Sequence, residues 1–358
     1  MDDAPLLLFE RYPRLRPVLP RFPLVRRPTP VRELPELARR LGLPELWLKD
    51  DSGAPPVGGN KARKLEFLVA AGKARGRRSL VTMGYLGTNH GLATTLAARA
   101  AGMDAELVLI EEVASDHVRD TLLRCAALGA RMHYAPGEVP SVPTAARVLG
   151  AAFVGGRAPE WIPPGGSSAR GTVGYVEAGL ELADQVRRGE LPEPYRIYVP
   201  LGSAGTAAGI ALGLAMAGLS SEVRAVRVVD PRMASTSRTI RLVAATWRFL
   251  RERRAGVELV GPRVRLRAVA GFEGAGYGTD TPEALAAMRD ARETEDLELE
   301  VTYTGRTLAA LAHEASSCLQ TGRPVLLWNT FHPRGPLPDG TPPWQELPPA
   351  FHHAFEGA

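Results

Sequence analysis

The sequence predicts an α/β fold with mainly parallel sheets, and three observations lead there. Short apolar runs alternate with longer segments of helical period along most of the chain. Glycine-rich loops join the end of an apolar run to the start of a helix more than once. The composition, 45% hydrophobic and 23% charged over 358 residues, is that of a globular chain rather than a disordered, collagenous or coiled-coil one. Such a length suggests about two domains and buries enough surface to need neither metal nor disulfide for stability.

Taken in order, strands are predicted at 46–49, 80–83, 105–110, 196–200, 223–229, 264–269 and 325–329. Helices are predicted at 61–74, 89–101, 115–128, 173–188, 204–217, 282–292 and 307–321. Caps support these limits. Ser115 ahead of Asp116 suits a helix start, Thr281 ahead of Pro282 reads as N-cap and first helical position, and Gly102 and Gly129 suit helix ends. The loop 161–171, rich in Pro, Gly and Ser, is the best candidate for a passage between domains. The tail 333–349 holds too much proline to extend a sheet and is expected to wrap the surface.

Several function classes are set aside. Cys125 and Cys318 each sit in an apolar helical pattern and read as core residues, which fits a reducing, cytoplasmic setting. The first residues open with acids and lack a small-residue cleavage site, so no secretory signal is expected. No run approaches the ~18 apolar residues of a membrane span. The formal charge of +5 has its densest arginine cluster at 247–267, where a solvated helix followed by an amphipathic strand explains the run without a nucleic acid.

One count is more informative. Arginine supplies 40 of the 44 basic residues, leaving Lys49, Lys61, Lys64 and Lys73. A lysine in a glycine-rich loop therefore raises the question of an amine nucleophile, since a guanidinium does not form Schiff bases under ordinary conditions. Lys61 occupies such a loop, Gly58-Gly59-Asn60-Lys61. Paired glycines permit close approach of a ligand, Asn60 is a fair N-cap, and a helix N-terminus disfavours a charged ammonium. Lys49, Lys64 and Lys73 read as surface residues, with Arg63 and Lys64 facing solvent or an acidic partner.

Two further loops complete a candidate site. Gly84 to Gly91 follows the second apolar run and offers a hydroxyl, an amide and an imidazole from Thr88, Asn89 and His90. Its exposed amides suit a substrate carboxylate. His90 by itself reads first as a structural hydrogen-bonding residue, and one histidine makes no metal site, so no metal is expected. The third loop, Gly202-Ser203-Ala204-Gly205-Thr206, opens an alanine-rich helix and can cup a phosphate, although it lacks the Gly-Lys-Ser/Thr ending of a nucleotide P-loop. An imine-forming amine, polar groups for a ring and a carboxylate, and a phosphate cup are together the needs of pyridoxal 5'-phosphate (PLP).

With these residues in view, the sequence resembles the tryptophan-synthase β-like PLP enzymes of fold type II, and within them the 1-aminocyclopropane-1-carboxylate deaminase/D-cysteine desulfhydrase family. The likeness rests on LKDDSG followed by GGNKARKLEFL, on GTNH, IPPGGSSARGTVGY and GSAGTAAG, on GYG at Gly276 to Gly278, and on TYTGR at Thr302 to Arg306. It implies two open, mainly parallel twisted sheets flanked by helices: a large PLP-binding domain from 1–61 and 166–358, and a small α/β domain inserted at 62–165. It implies that Lys61 forms the Schiff base with PLP, that Asn89 hydrogen-bonds the 3'-oxygen, and that Gly202 to Thr206 hold the phosphate. Thr304 would lie near the pyridine nitrogen, Tyr303 near ring and substrate, and Tyr277 across the pocket. Thr88, Asn89 and His90 would bind the substrate, and a homodimer is implied.

Three departures from the family bear on chemistry. Thr88 replaces the usual serine, Thr304 replaces the acidic residue of the deaminases, and the last strand ends in Asn329-Thr330-Phe331-His332 instead of Thr-Gly-Gly. The first stiffens a hydroxyl and the last implies a bulkier pocket wall. The expected reaction is α-proton removal from a small amino acid and β-elimination to a keto acid and ammonia, in preference to ring opening. β-Replacement, cyclopropane deamination and non-catalytic amino-acid binding are the alternatives.

Overall fold

All seven predicted strands form, joined by three short ones. They run β1 (Val31–Glu33), β2 (Leu46–Asp50), β3 (Ser79–Tyr85), β4 (Asp104–Ile110), β5 (Arg131–Ala135), β6 (Pro159–Trp161), β7 (Arg196–Leu201), β8 (Glu222–Arg227), β9 (Leu266–Val269) and β10 (Val325–Asn329). The computed structural model describes residues 5–53, 57–253, 261, 263–276 and 278–356.

One sheet has the order β1-β2-β10-β7-β8-β9, parallel except for the antiparallel edge strand β1, and the other has the order β5-β4-β3-β6, parallel throughout. Helices cover the sheets, so the inner strands are buried on both faces. Every residue of β10 is buried, which is why that strand reads as an unbroken apolar run. The strands absent from the sequence prediction, β1, β5 and β6, are three to five residues long and partly exposed. Neither length nor alternation marks them.

The predicted helices form with ends shifted by a few residues. Ser115 and Thr281 cap as expected, accepting from the Val118 and Ala284 amides. The segment 307–321 is divided into helices Arg306–His313 and Ala315–Leu319, and a π-turn at Val301–Gly305 precedes it. Helix Glu138–Val154, not predicted, contains Pro143, which removes one helical donor and blurs the sequence signal. Helices Leu7–Arg11 and Pro35–Leu41 are too short to show a period, and Thr236–Glu252 is expected from sequence only in its arginine-rich second half.

Helices Ala169–Arg187 and Gly205–Ala217 pack against each other through glycines. A Cβ on Gly213 would overlap the Val176 carbonyl, and one on Gly179 would lie 2.9 Å from the Gly213 Cα. This close packing fixes the helix that begins at the end of β7. The tail crosses from β10 to the second sheet, where Leu347, Phe351 and Ala354 are buried with Leu86, Leu107 and Leu122. It therefore supplies core as well as wrapping the surface. Cys125 and Cys318 are buried and unpaired, as expected.

Candidate active site

The loops after β2, β3, β7 and β10 all lie at the carboxyl ends of parallel strands, where open α/β sheets place ligands. Those after β2, β3 and β7 line a cavity of about 670 Å³ whose wall includes Lys61, Thr88, Asn89, His90, Gly202 and Tyr303. A smaller cavity of about 70 Å³ lies behind Lys61, bounded also by Glu300, His332 and Arg334.

Lys61 is the third residue of helix Gly59–Ala74, so it lies in the first turn as predicted. The cap differs from the expectation. Gly58 occupies the N-cap position, while the Asn60 amide donates to Thr206 Oγ1 at 3.1 Å and its oxygen accepts from Lys61 Nζ at 2.7 Å. Two glycines are needed here for steric reasons. A Cβ on Gly58 would overlap the His332 ring and the Ser52 carbonyl, and Gly59, at φ +68°, faces the Thr330 carbonyl. Burial lowers the Lys61 amine to about 8, against a smaller opposing pull from Glu300. Its Nζ lies 5.6 Å from the centre of the Tyr303 ring.

The placement of the other cations overturns the surface reading. Arg63 is fully buried and holds Asp51 and Glu181, and Lys49 is fully buried against Glu181 at 2.6 Å. Lys64 is also buried, its Nζ donating to the Gly165 carbonyl at 3.1 Å near the start of helix Gly205–Ala217. Burial and the neighbouring Lys61 hold its amine well below the usual lysine range. Only Lys73 is exposed. Helix Gly59–Ala74 packs against helices Ala169–Arg187 and Asn89–Ala100 and is buried from Ala62 to Gly72, so residues three and four places apart are covered alike.

In the third loop, Ala204 takes φ +73°, a conformation unusual for a residue with a Cβ, and turns the chain into the helix. Ser203 Oγ lies 2.8 Å from Ser167 Oγ, which also accepts from the Gly205 amide at 3.1 Å. Small residues, two hydroxyls, a helix N-terminus and the buried Lys64 make a cup for a phosphate. Ser167 is absent from the candidates that the sequence suggests, although glycines and prolines mark the loop that carries it.

Thr88 caps helix Asn89–Ala100 by accepting from the Gly91 amide at 3.1 Å, and Asn89 is the first helical residue. His90 is buried, and burial, then the nearby Lys61 and Lys64, lowers it to about 3 against the opposing pull of the Pro163 backbone. It is a neutral imidazole on the cavity wall. Thr304, expected beside the pyridine nitrogen, is fully buried and lines neither cavity; its Oγ1 accepts from the Glu300 amide at 2.9 Å. Beside Tyr303, that turn brings Glu300 to the cavity wall, where its carboxylate accepts from the Thr302, Tyr303 and Thr304 amides. Burial raises its carboxyl above the usual range despite those three donors. A glutamate three residues ahead of a tyrosine was the available signal. Tyr277 lies outside the described residues.

A half-buried, readily neutralised lysine facing an aromatic ring, with an anion cup across the same cavity, defines an enzyme that attaches its cofactor through an amine. The family described as pyridoxal-phosphate dependent enzyme matches residues 23–330, and the chain belongs to that family. It is 33% identical over 333 residues to the nocardicin C-9' epimerase of Nocardia uniformis subsp. tsuyamanensis, covering 89% of this chain and 97% of that one. It is 31% identical to a D-cysteine desulfhydrase of Klebsiella pneumoniae subsp. pneumoniae, covering 82% and 87%. A solved structure of an ACC deaminase homologue superposes with a TM-score of 0.76 at 27% identity, covering 90% of this chain and 94% of the other. The cofactor is PLP. No helix among the described residues is long and apolar enough to cross a membrane.

Proposed function

We propose that this PLP enzyme removes the α proton of a small amino acid and eliminates its β substituent, releasing a keto acid and ammonia, a reading supported by its likeness to a protein named D-cysteine desulfhydrase. The observation that carries the reading is the Lys61 amine, on the cavity wall and lowered by desolvation to about 8, which allows one residue to serve as attachment point and as base near neutral pH. Bound PLP supplies the electron sink for the charge left at the α carbon. Ser203, Thr206 and Lys64 would hold its phosphate, and Asn89 its ring oxygen. Thr88 and the amides of the same turn would hold the substrate carboxylate and orient the bond to be broken, with Tyr303 against the ring. The proposal includes a cytoplasmic homodimer with neither nucleic acid nor membrane as partner. It also includes a small domain at 62–165, supported by the four strands β3 to β6 all falling within those residues.

The Nocardia relative favours a second reading, inversion at the carbon that loses the proton. Both readings begin with the same proton transfer and differ in whether a β bond then breaks or a proton returns to the opposite face. A panel of L- and D-amino acids in deuterated water separates them. Elimination gives keto acid and ammonia; inversion gives the opposite enantiomer carrying one deuterium. Deuterium exchange with neither product would overturn both.

A further inference from the structure

The stretch that replaces the family's glycine-rich strand end leads directly to Arg334, a half-buried cation that reaches the cavity wall. Arg334, five residues beyond the end of β10, donates from Nη2 to Asn89 Oδ1 at 2.5 Å. Its other terminal nitrogen donates to Asp120 Oδ2 at 2.7 Å and Thr121 Oγ1 at 2.9 Å, and its side chain is only 14% exposed. Asp120 is held in turn by Arg124 Nε at 2.9 Å. Arg124 also grips the tail through the Gly335 and Pro336 carbonyls at 2.5 and 3.0 Å. Four side chains thus tie the tail to helix Asp116–Ala127 and bring one guanidinium against Asn89. His117, 3.5 Å from Arg334, and the buried Cys125 thiol are further titratable groups close to it.

A carboxamide has an oxygen that accepts and a nitrogen that donates, and rotation by half a turn exchanges them. A guanidinium has five donors, no acceptor, and stays charged throughout the accessible pH range. Against Arg334, Asn89 therefore has one favourable orientation, oxygen toward the guanidinium and NH2 away from it. That NH2 makes no hydrogen bond to any described residue, and the Asn89 side chain lies on the wall of the cavity that holds Lys61. The group that meets it must be an acceptor.

We propose that Arg334 is a positioning residue: it locks the Asn89 carboxamide so that its NH2 is presented to the ring oxygen of the cofactor. The inference rests on the reading of Asn89 as the cofactor's partner. A donor at that place stabilises the deprotonated ring oxygen, whereas a flipped amide would set oxygen against oxygen. Without Arg334 both orientations become accessible, and the donor is lost for part of the time.

The test uses the holoenzyme without substrate and tracks the visible band of the bound cofactor through a pH titration. Arg334→Met and Asn89→Ala should both raise the pH at which the band changes, by about one unit, the scale of one lost hydrogen bond. The double variant should titrate like Asn89→Ala alone, because Arg334 acts only through Asn89. Arg334→Lys, a donor without an acceptor, should recover part of the shift. Should the methionine variant fail to fold, Arg334→Gln carries the same expectation, since its amide accepts as well as it donates. A wild-type titration curve from Arg334→Met, or shifts that add in the double variant, would overturn the proposal. A wild-type protein with no such band would instead remove the cofactor reading beneath it.

Discussion

Lys61 Nζ and Asn60 Oδ1 lie 2.7 Å apart, and the Asn60 amide donates onward to Thr206 at the phosphate cup. The attachment point and the anion site are therefore linked through one side chain. Only the neutral amine attacks an aldehyde, so the rate at which apoprotein captures PLP should rise with pH to a plateau above about 8. Asn60→Asp places a carboxylate beside the amine, stabilises the ammonium, and should move that midpoint up by about one unit. Lys61→Ala should abolish the borohydride-stable adduct seen by mass spectrometry and lower turnover by at least ~10³-fold.

Lys64 provides a second check on the same cup. A buried ammonium beside another lysine is unfavourable until an anion joins it. Lys64→Met should weaken PLP binding by about tenfold or more, and should alter the binding of unphosphorylated pyridoxal far less. Equilibrium dialysis with both compounds measures the difference; equal losses would place Lys64 away from the phosphate.

Gly58 and Gly42 offer a contrast in what a methyl group costs. At Gly58 the added Cβ overlaps the His332 ring and a backbone carbonyl, so Gly58→Ala must displace the turn that carries Lys61. Cofactor affinity should fall by at least ~10-fold, the scale of a misplaced reacting group. Gly42, at φ +66° with nothing within 4 Å, should cost about 1 kcal/mol of stability in Gly42→Ala and leave cofactor affinity unchanged. Titration calorimetry and thermal unfolding of the two variants distinguish these cases.

The fold and the attachment lysine are legible because each leaves a local trace: the apolar run of β10, the Gly-Gly-Asn-Lys turn, the small residues after β7. The features that escape depend on contacts between distant segments. Lys64 and Arg63 look like surface cations until the helix that bears them is seen packed on all sides, with Arg63 meeting Glu181 from 118 positions away. Glu300 and Arg334 reach the site because a turn and a tail fold back onto it, and no periodicity records that. Thr304 owes its expected role to correspondence of position alone, and its hydroxyl is taken up by the backbone of its own turn.

Glu181 joins that buried network to stability. Its carboxylate accepts from Lys49, Arg63, Thr29 Oγ1 and the Thr29 amide, at 2.6 to 3.2 Å. Removing the charge strands the buried Lys49 and leaves Arg63 with Asp51 alone, so Glu181→Gln should cost about 3–5 kcal/mol in denaturant unfolding of the apoprotein. A loss under about 1 kcal/mol would mean that water reaches the cluster and replaces the carboxylate.

Glu177 gives the stability its pH dependence near neutrality. It is buried and accepts from the Leu7 and Leu8 amides at 2.9 and 2.8 Å, which anchors the first helix in the core around Leu6, Leu8, Leu15 and Leu19. Burial raises its carboxyl from 4.5 to about 7. Between those two values the folded protein binds a proton that the unfolded chain has released, so this contribution is full below 4.5 and is lost as pH rises through 7. Glu177→Gln keeps one of the two acceptors, cannot ionise, and lacks that pH-dependent loss. The wild-type protein should therefore become less stable relative to the glutamine variant as pH climbs from 5 to 8, with faster amide exchange at Leu7 and Leu8. Parallel stability curves for the two proteins across that range would show that Glu177 is already ionised at pH 5 in the folded state.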